Sequence, residues 1–157
     1  MANNLFPEGY EDEIITEEDL TSDTPIGYRN GIAFDYETGD FKRDGKNKIL
    51  DCDGIESWKA WCINCIQTER YAFLACPSYF GISTTAAMQA ASREEAESVL
   101  IREITEGLLA DPYERTNYVE NVEFDWTAPD AVTVYAIIHG IDDVTIDITA
   151  YITKGGE

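Results

Sequence analysis

Residues 53–67, DGIESWKAWCINCIQ, decide the fold, and they contain Trp61-Cys62-Ile63-Asn64-Cys65, which reads at first like the signature of a thiol oxidoreductase. Such a site needs its first cysteine just after a strand and at the N-terminus of a helix, where the helix dipole and free N–H groups stabilise a thiolate. The surrounding pattern is different. Asp53 is a good N-cap, and Ile55, Trp58, Cys62, Cys65 and Ile66 then recur at steps that fall on one face of a single helix over residues 54–67. Both cysteines lie inside that helix on its apolar side, where cysteine acts as a small hydrophobe.

Outward from this helix, the other two cysteines, Cys52 and Cys76, stand ten and eleven residues from the pair. Four thiolates could bind zinc, but structural zinc sites join two short-spaced pairs, and here only one pair is close. We therefore expect reduced, structural cysteines with no metal and no cofactor. The chain has 157 residues, enough for one domain with a real core. It has no apolar run of membrane-spanning length, and MANNLFPEGYEDE lacks the basic-then-apolar order of a secretory signal. These features predict a soluble protein made for the cytoplasm.

The net charge of −20 is unevenly spread. Residues 1–28 hold eight acids and no base, residues 29–76 eight acids and seven bases, and residues 77–157 fifteen acids and four bases. The first block has few apolar residues and no sustained period, which predicts an extended or disordered acidic arm over 1–28. Residues 29–157 form the expected single domain.

Within it, IAFDYETGDFKR alternates and then turns at Glu37-Thr38-Gly39, predicting a hairpin over 31–43. RYAFLAC, residues 70–76, is apolar and aromatic and reads as a strand. YFGISTTAAMQA reads as a loop and a short helix. Ser92 and Glu95 form a capping box ahead of the stripe Ala96, Val99, Leu100, Ile104 and Leu108, and Pro112 stops that helix near Ala110. Residues 118–126, 131–139 and 144–152 alternate, with turns at TAPD and GIDD. The predicted class is α+β: an N-terminal β-hairpin, two main helices and a C-terminal three-stranded antiparallel meander.

FDYETGDF, the helix 53–67 running into QTERYAFL, the glycine of SYFG, the helix ending GLLADPYERTNYVENVEF, and the closing meander together resemble the short baseplate proteins of contractile phage tails, defective prophages and R-type bacteriocins, a family related to the sheath initiator of the baseplate wedge. The similarity runs from about residue 28 to residue 153. It implies a structural protein, present in six copies, that binds the baseplate wedge proteins around the tail tube, nucleates the sheath protein, and is assembled in the host cytoplasm. In relatives a Glu-Pro-Arg word after the long helix touches the wedge bundle. The matching place here is Tyr113-Glu114-Arg115, which keeps the acid and the base without the proline, so Glu114 and Arg115 are the expected wedge-binding residues.

The residues themselves give no enzyme signal: one histidine, no phosphate-binding loop, no HExxH and no basic patch for nucleic acid. Two other readings compete. Relatives have carried a lysozyme label, for which Glu69 or Glu114 would be the general acid, although each stands beside an arginine that would keep it ionised. An acidic nucleic-acid mimic would suit the charge but needs acids in long rows on an exposed face, and the longest helical row here is Glu94, Glu95 and Glu97. A calcium loop from Asp40 to Asp51 puts a lysine where an oxygen ligand belongs. The last strand has no Lys, Pro or Gly between Val144 and Ile152, and only one charge. That composition is unusual for an edge strand, and it suggests an edge that pairs with a sheath strand, selected through Thr145, Asp147, Thr149 and Tyr151.

Overall fold

The computed structural model describes residues 27–153. The expected acidic arm therefore falls, but for its last two positions, outside the described residues. Helix α1, Gly54–Gln67, is capped by Asp53, whose Oδ1 accepts the Glu56 N–H at 2.8 Å. Trp58, Cys62, Cys65 and Ile66 are buried on it. Ile55, expected on that face, is exposed, and Ile63 is buried in its place. Ile55 lies at the middle of the buried arc but in the first turn, where the cover ends, and Ile63 widens the arc on the side of the N-terminal strands.

Those strands are short. β1 (Gly31–Ile32) pairs antiparallel with β4 (Asp51–Cys52), and β2 (Phe34–Asp35) pairs with β3 (Asp40–Phe41). The expected hairpin over 31–43 is therefore only its inner half. At Ala33 the chain changes partner: the Ala33 N–H donates to Leu50 O at 2.9 Å and Ala33 O accepts from the Lys42 N–H at 2.8 Å. One edge residue joins the two pairs, and the turn at Gly39 (φ 72°) closes the hairpin.

Residues 70–76 do not form a strand. Tyr71 has φ 68°, and three tight turns follow, closed by Ala72 N–H to Glu69 O, Cys76 N–H to Phe73 O and Phe80 N–H to Pro77 O. Aromatic and apolar composition favours a strand only where a neighbouring strand and a core face are available. Neither is here, and Tyr71, Phe73 and Leu74 are exposed. The loop is tied at its base: Arg70 N–H donates to Ile82 O, and Ile82 N–H to Thr68 O. Gly81 (φ 94°) lies in this clasp, where a Cβ would stand 2.7 Å from Thr68 O.

After the single turn α2 (Thr85–Met88), helix α3 (Arg93–Leu109) begins at Ser92, whose Oγ accepts the Glu95 N–H at 3.2 Å, while Glu95 reaches back to the Ala91 N–H at 3.0 Å. This is the capping box one residue out of its usual register. Ala96, Leu100, Ile104 and Leu108 are buried. At Gly107 α3 comes close to α1 and the loop: a Cβ would be 3.1 Å from Ile82 and 3.4 Å from Cys65 Sγ.

The meander is β5 (Thr116–Asp125), β6 (Ala131–Gly140) and β7 (Thr145–Thr153), hydrogen-bonded in that order. α1 packs under β7 and α3 under β5. Between β6 and β7 the register is unbroken from His139↔Thr145 to Ala131↔Thr153, and β7 alternates, with Ile146, Ile148, Ala150 and Ile152 buried. β5 departs from simple alternation. Its register slips between Glu120 and Glu123, where Asn121 takes φ 51°, so Val119 and Val122, three apart, both pack on the core. This is a β-bulge, with an asparagine accepting the left-handed conformation.

Two consequences are measurable. A methyl at Gly140 would collide with the Tyr28 hydroxyl, the Trp58 ring and Arg115 O, whereas one at Gly45 meets nothing within 4 Å. Gly140→Ala should cost about 2 kcal/mol or more in denaturant unfolding and Gly45→Ala close to none. Cys52, Cys62 and Cys65 are buried and free, and burial pushes the Cys62 and Cys65 thiols up from their ordinary range. A thiol reagent should label Cys76 in the native protein and all four cysteines only after unfolding; fast native labelling of Cys62 would contradict the packed face.

Candidate functional site: a braced turn and an open sheet edge

The chain leaves α3 through Asp111-Pro112 and enters β5 at Thr116. Asp111 and Arg115, i and i+4 across this turn, are both buried, with Asp111 fully enclosed and Arg115 4% exposed. Arg115 donates from Nε to Asp111 Oδ2 at 2.7 Å and from Nη2 to Oδ1 at 2.9 Å, a bidentate pair. The same carboxylate accepts the backbone N–H groups of Arg115 (3.0 Å) and Tyr113 (3.2 Å). The guanidinium lies 5.6 Å from the Trp61 ring and 5.1 Å from the Tyr113 ring, and Arg29 sits 5.2 Å from the same tyrosine. Arg115 O accepts the Ile141 N–H at 2.9 Å.

The two expected wedge-binding residues are therefore placed very differently. Arg115 faces inward and is held by Asp111, a partner the sequence reading did not single out although the i, i+4 spacing was visible. Glu114 is exposed, with φ 51° and no ion pair to a described residue. The turn presents its carboxylate while Arg115 fixes the turn's shape.

At the other end of the sheet, β7 is an edge strand among the described residues. Which of its backbone groups are free follows from one bond. The Gly140 N–H donates to Val144 O at 2.7 Å, so in the alternation of an antiparallel ladder Ile146, Ile148, Ala150 and Ile152 exchange bonds with β6. The N–H and C=O groups of Thr145, Asp147, Thr149 and Tyr151 then point away from the sheet. The four residues expected to select a partner also carry the unpaired backbone, and their side chains are exposed.

The opposite edge, β5, is blunted by its bulge and by Glu120, Glu123 and Asp125, the devices that keep edges from pairing. β7 has no bulge and a single acid, Asp147. The chain's one histidine, to which sequence reading gave no role, spans the exposed face: His139 stacks on Tyr118 (4.3 Å between rings), its Nε2 lies 2.6 Å from Glu120 Oε2, and its Nδ1 lies 3.0 Å from Thr145 Oγ1. It links all three strands and fixes the first side chain of the open edge.

A model of the contractile injection system sheath initiator family matches residues 30–143. The chain belongs to that family. Its members are structural parts of a contractile injection system, which places this sheath initiator in the baseplate region of a tail particle, associated with sheath and baseplate components. No curated protein matches the chain. The family match takes in the braced turn and ends at the 3₁₀ turn Ile141–Asp143, just before β7.

The carboxylates weighed for other chemistry have local partners or stand apart. Glu69 accepts from the Thr84 N–H and hydroxyl, and Glu114 is on the exposed turn. Asp44, in the suspected calcium loop, accepts the N–H groups of Lys46 (2.8 Å) and Lys48 (2.9 Å) in a tight turn. Among the described residues no three His, Cys, Asp or Glu side chains are grouped as metal ligands, and no helix is long and apolar enough to cross a membrane.

Removing one partner of a buried, hydrogen-bonded ion pair leaves the other charge unpaired. Asp111→Ala should lower stability by about 3–5 kcal/mol, and Glu114→Ala by well under 1 kcal/mol. Equal losses in a denaturant titration would show that Asp111 does not carry the turn.

Proposed function

We propose that this sheath initiator primes the sheath by adding a strand of the first sheath subunit to β7, while the turn 111–115 docks on the baseplate wedge. The observation that carries the reading is the contrast between the two sheet edges. β5 is bulged and acidic; β7 offers nine residues of regular register with one charge, and its outward N–H and C=O groups belong to Thr145, Asp147, Thr149 and Tyr151. In strand addition the main-chain bonds supply affinity, and these side chains select the partner. Six copies around the tube would offer six such edges to the first sheath ring, a role that needs no catalysis. For the wedge contact Glu114 supplies the exposed carboxylate and Arg115 the rigidity behind it.

Proline substitution separates edge from core. Ile148→Pro removes a donor to β6 and should destabilise the domain by about 3 kcal/mol or more, whereas Thr149→Pro removes an outward donor and should leave a folded protein. Thr149→Pro is then expected to enter baseplates that carry tubes without sheath by negative-stain microscopy; normally sheathed tails would refute strand addition at β7. Glu114→Arg should fold and fail to enter baseplates, and normal incorporation would refute the wedge contact.

A further inference from the structure

Residues 1–26 carry eight acids and no lysine or arginine, and they hold two apolar pairs, Leu5-Phe6 and Ile14-Ile15. The second pair has Glu11, Asp12 and Glu13 before it and Glu17, Glu18 and Asp19 after it. Such a segment is complementary to an apolar slot flanked by cations. Most of the chain repels it, because residues 77–157 hold fifteen acids against four bases. Residues 29–76, with eight acids and seven bases, are the one block close to neutral.

A groove of the required kind lies in that block. Between the hairpin β2–β3 and the outer flank of α1 is about 560 Å³ of empty space, part of it open to solvent. Ile32, Phe34 and Tyr36 line one side and Ala60 and Ile63 the other. Ile32 and Tyr36 are 51% and 43% exposed, apolar surface that nothing among the described residues covers. Lys42 and Lys59 line the same groove, and neither has an ion pair with a described residue. Glu56 also lines it, so the favourable sites for a carboxylate are the two lysines.

The tether reaches. Tyr28 packs on Trp58 with ring centroids 5.3 Å apart, and its carbonyl abuts Gly54, so residue 27 lies beside the first turns of the helix that walls the groove. α1 is about 21 Å long, and the twelve residues from Ile15 to Gly27 can span up to about 40 Å. A segment held this close has an effective concentration in the millimolar range, enough to populate a contact of weak intrinsic affinity.

We propose that residues 1–26 bind this groove of their own chain, with Ile14-Ile15 on its apolar floor and the flanking carboxylates on Lys42 and Lys59. The contact is intramolecular and weakens with salt as the charges are screened.

The test uses the full-length chain with a benzoylphenylalanine photocrosslinker replacing Thr16. Crosslinks should fall within one chain, on residues 32–42 or 56–63. Their yield should drop several-fold in the Lys42→Glu/Lys59→Glu variant and in about 1 M salt. In the Ile14→Ser/Ile15→Ser variant, which leaves the groove untouched, amide exchange across residues 32–42 should accelerate about two- to ten-fold. Crosslinks that join two copies, crosslinks scattered over the chain, or groove amides protected only after baseplate or sheath proteins are added would each overturn the proposal. None of these readouts involves β7, so they leave the sheath-priming reading to its own test.

Discussion

The buried pair of Asp111 and Arg115 is the constraint on which the arrangement of the domain depends. Taking both charges out of water is costly, and the cost is offset only because every oxygen of the carboxylate is used: two guanidinium bonds and two backbone N–H groups converge on it. The geometry that satisfies the carboxylate also dictates where the chain goes. It turns the polypeptide out of α3, gives Glu114 its left-handed backbone, and starts β5 with Arg115 O already bonded to Ile141. Since Ile141 opens the β6–β7 turn, one ion pair sets the end of a helix, the beginning of the sheet and the height of its far hairpin. Trp61 from α1 closes the pocket over the guanidinium. Two helices and three strands are therefore referred to a single carboxylate.

Much of this was legible in the sequence because local and global signals agree. Asp53 and Ser92 cap the two helices they were expected to cap, the stripe from Ala96 to Leu108 is buried but for the half-buried Val99, and β7 alternates as written. The readings that needed correction are those in which a local signal had no tertiary partner. RYAFLAC has the composition of a strand, but no neighbouring strand lies beside it, so its aromatic residues are left on a surface loop. Ile55 sits at the right spacing for the core but at the helix start, before the sheet covers that face.

The candidate site residues were legible to a different degree. The exposed set Thr145, Asp147, Thr149 and Tyr151 followed from period two alone, since one strand face must be wet when the other is buried. The role of Arg115 did not, because sequence shows two candidate acids, Asp111 and Glu114, and only a three-dimensional turn decides between them. The bulge at Asn121 was equally hidden: its effect is to bring Val119 and Val122 to the same face, a spacing that no strict alternation contains.

An open edge beside an intact core is a hazard as well as an opportunity, for two copies of β7 could pair with each other as readily as with a partner strand. The uneven acidity of the chain bears on this. Fifteen acids against four bases in the residues that include the sheet mean that two copies approaching edge to edge bring like charge together. At physiological ionic strength that repulsion is felt only within about 8 Å, roughly the last step before strands would meet. The acid load thus serves as a colloidal guard for a strand left without the usual lysine, proline or bulge, and it discriminates by charge: it holds identical copies apart while leaving the edge accessible to any partner whose approaching surface is not itself strongly acidic.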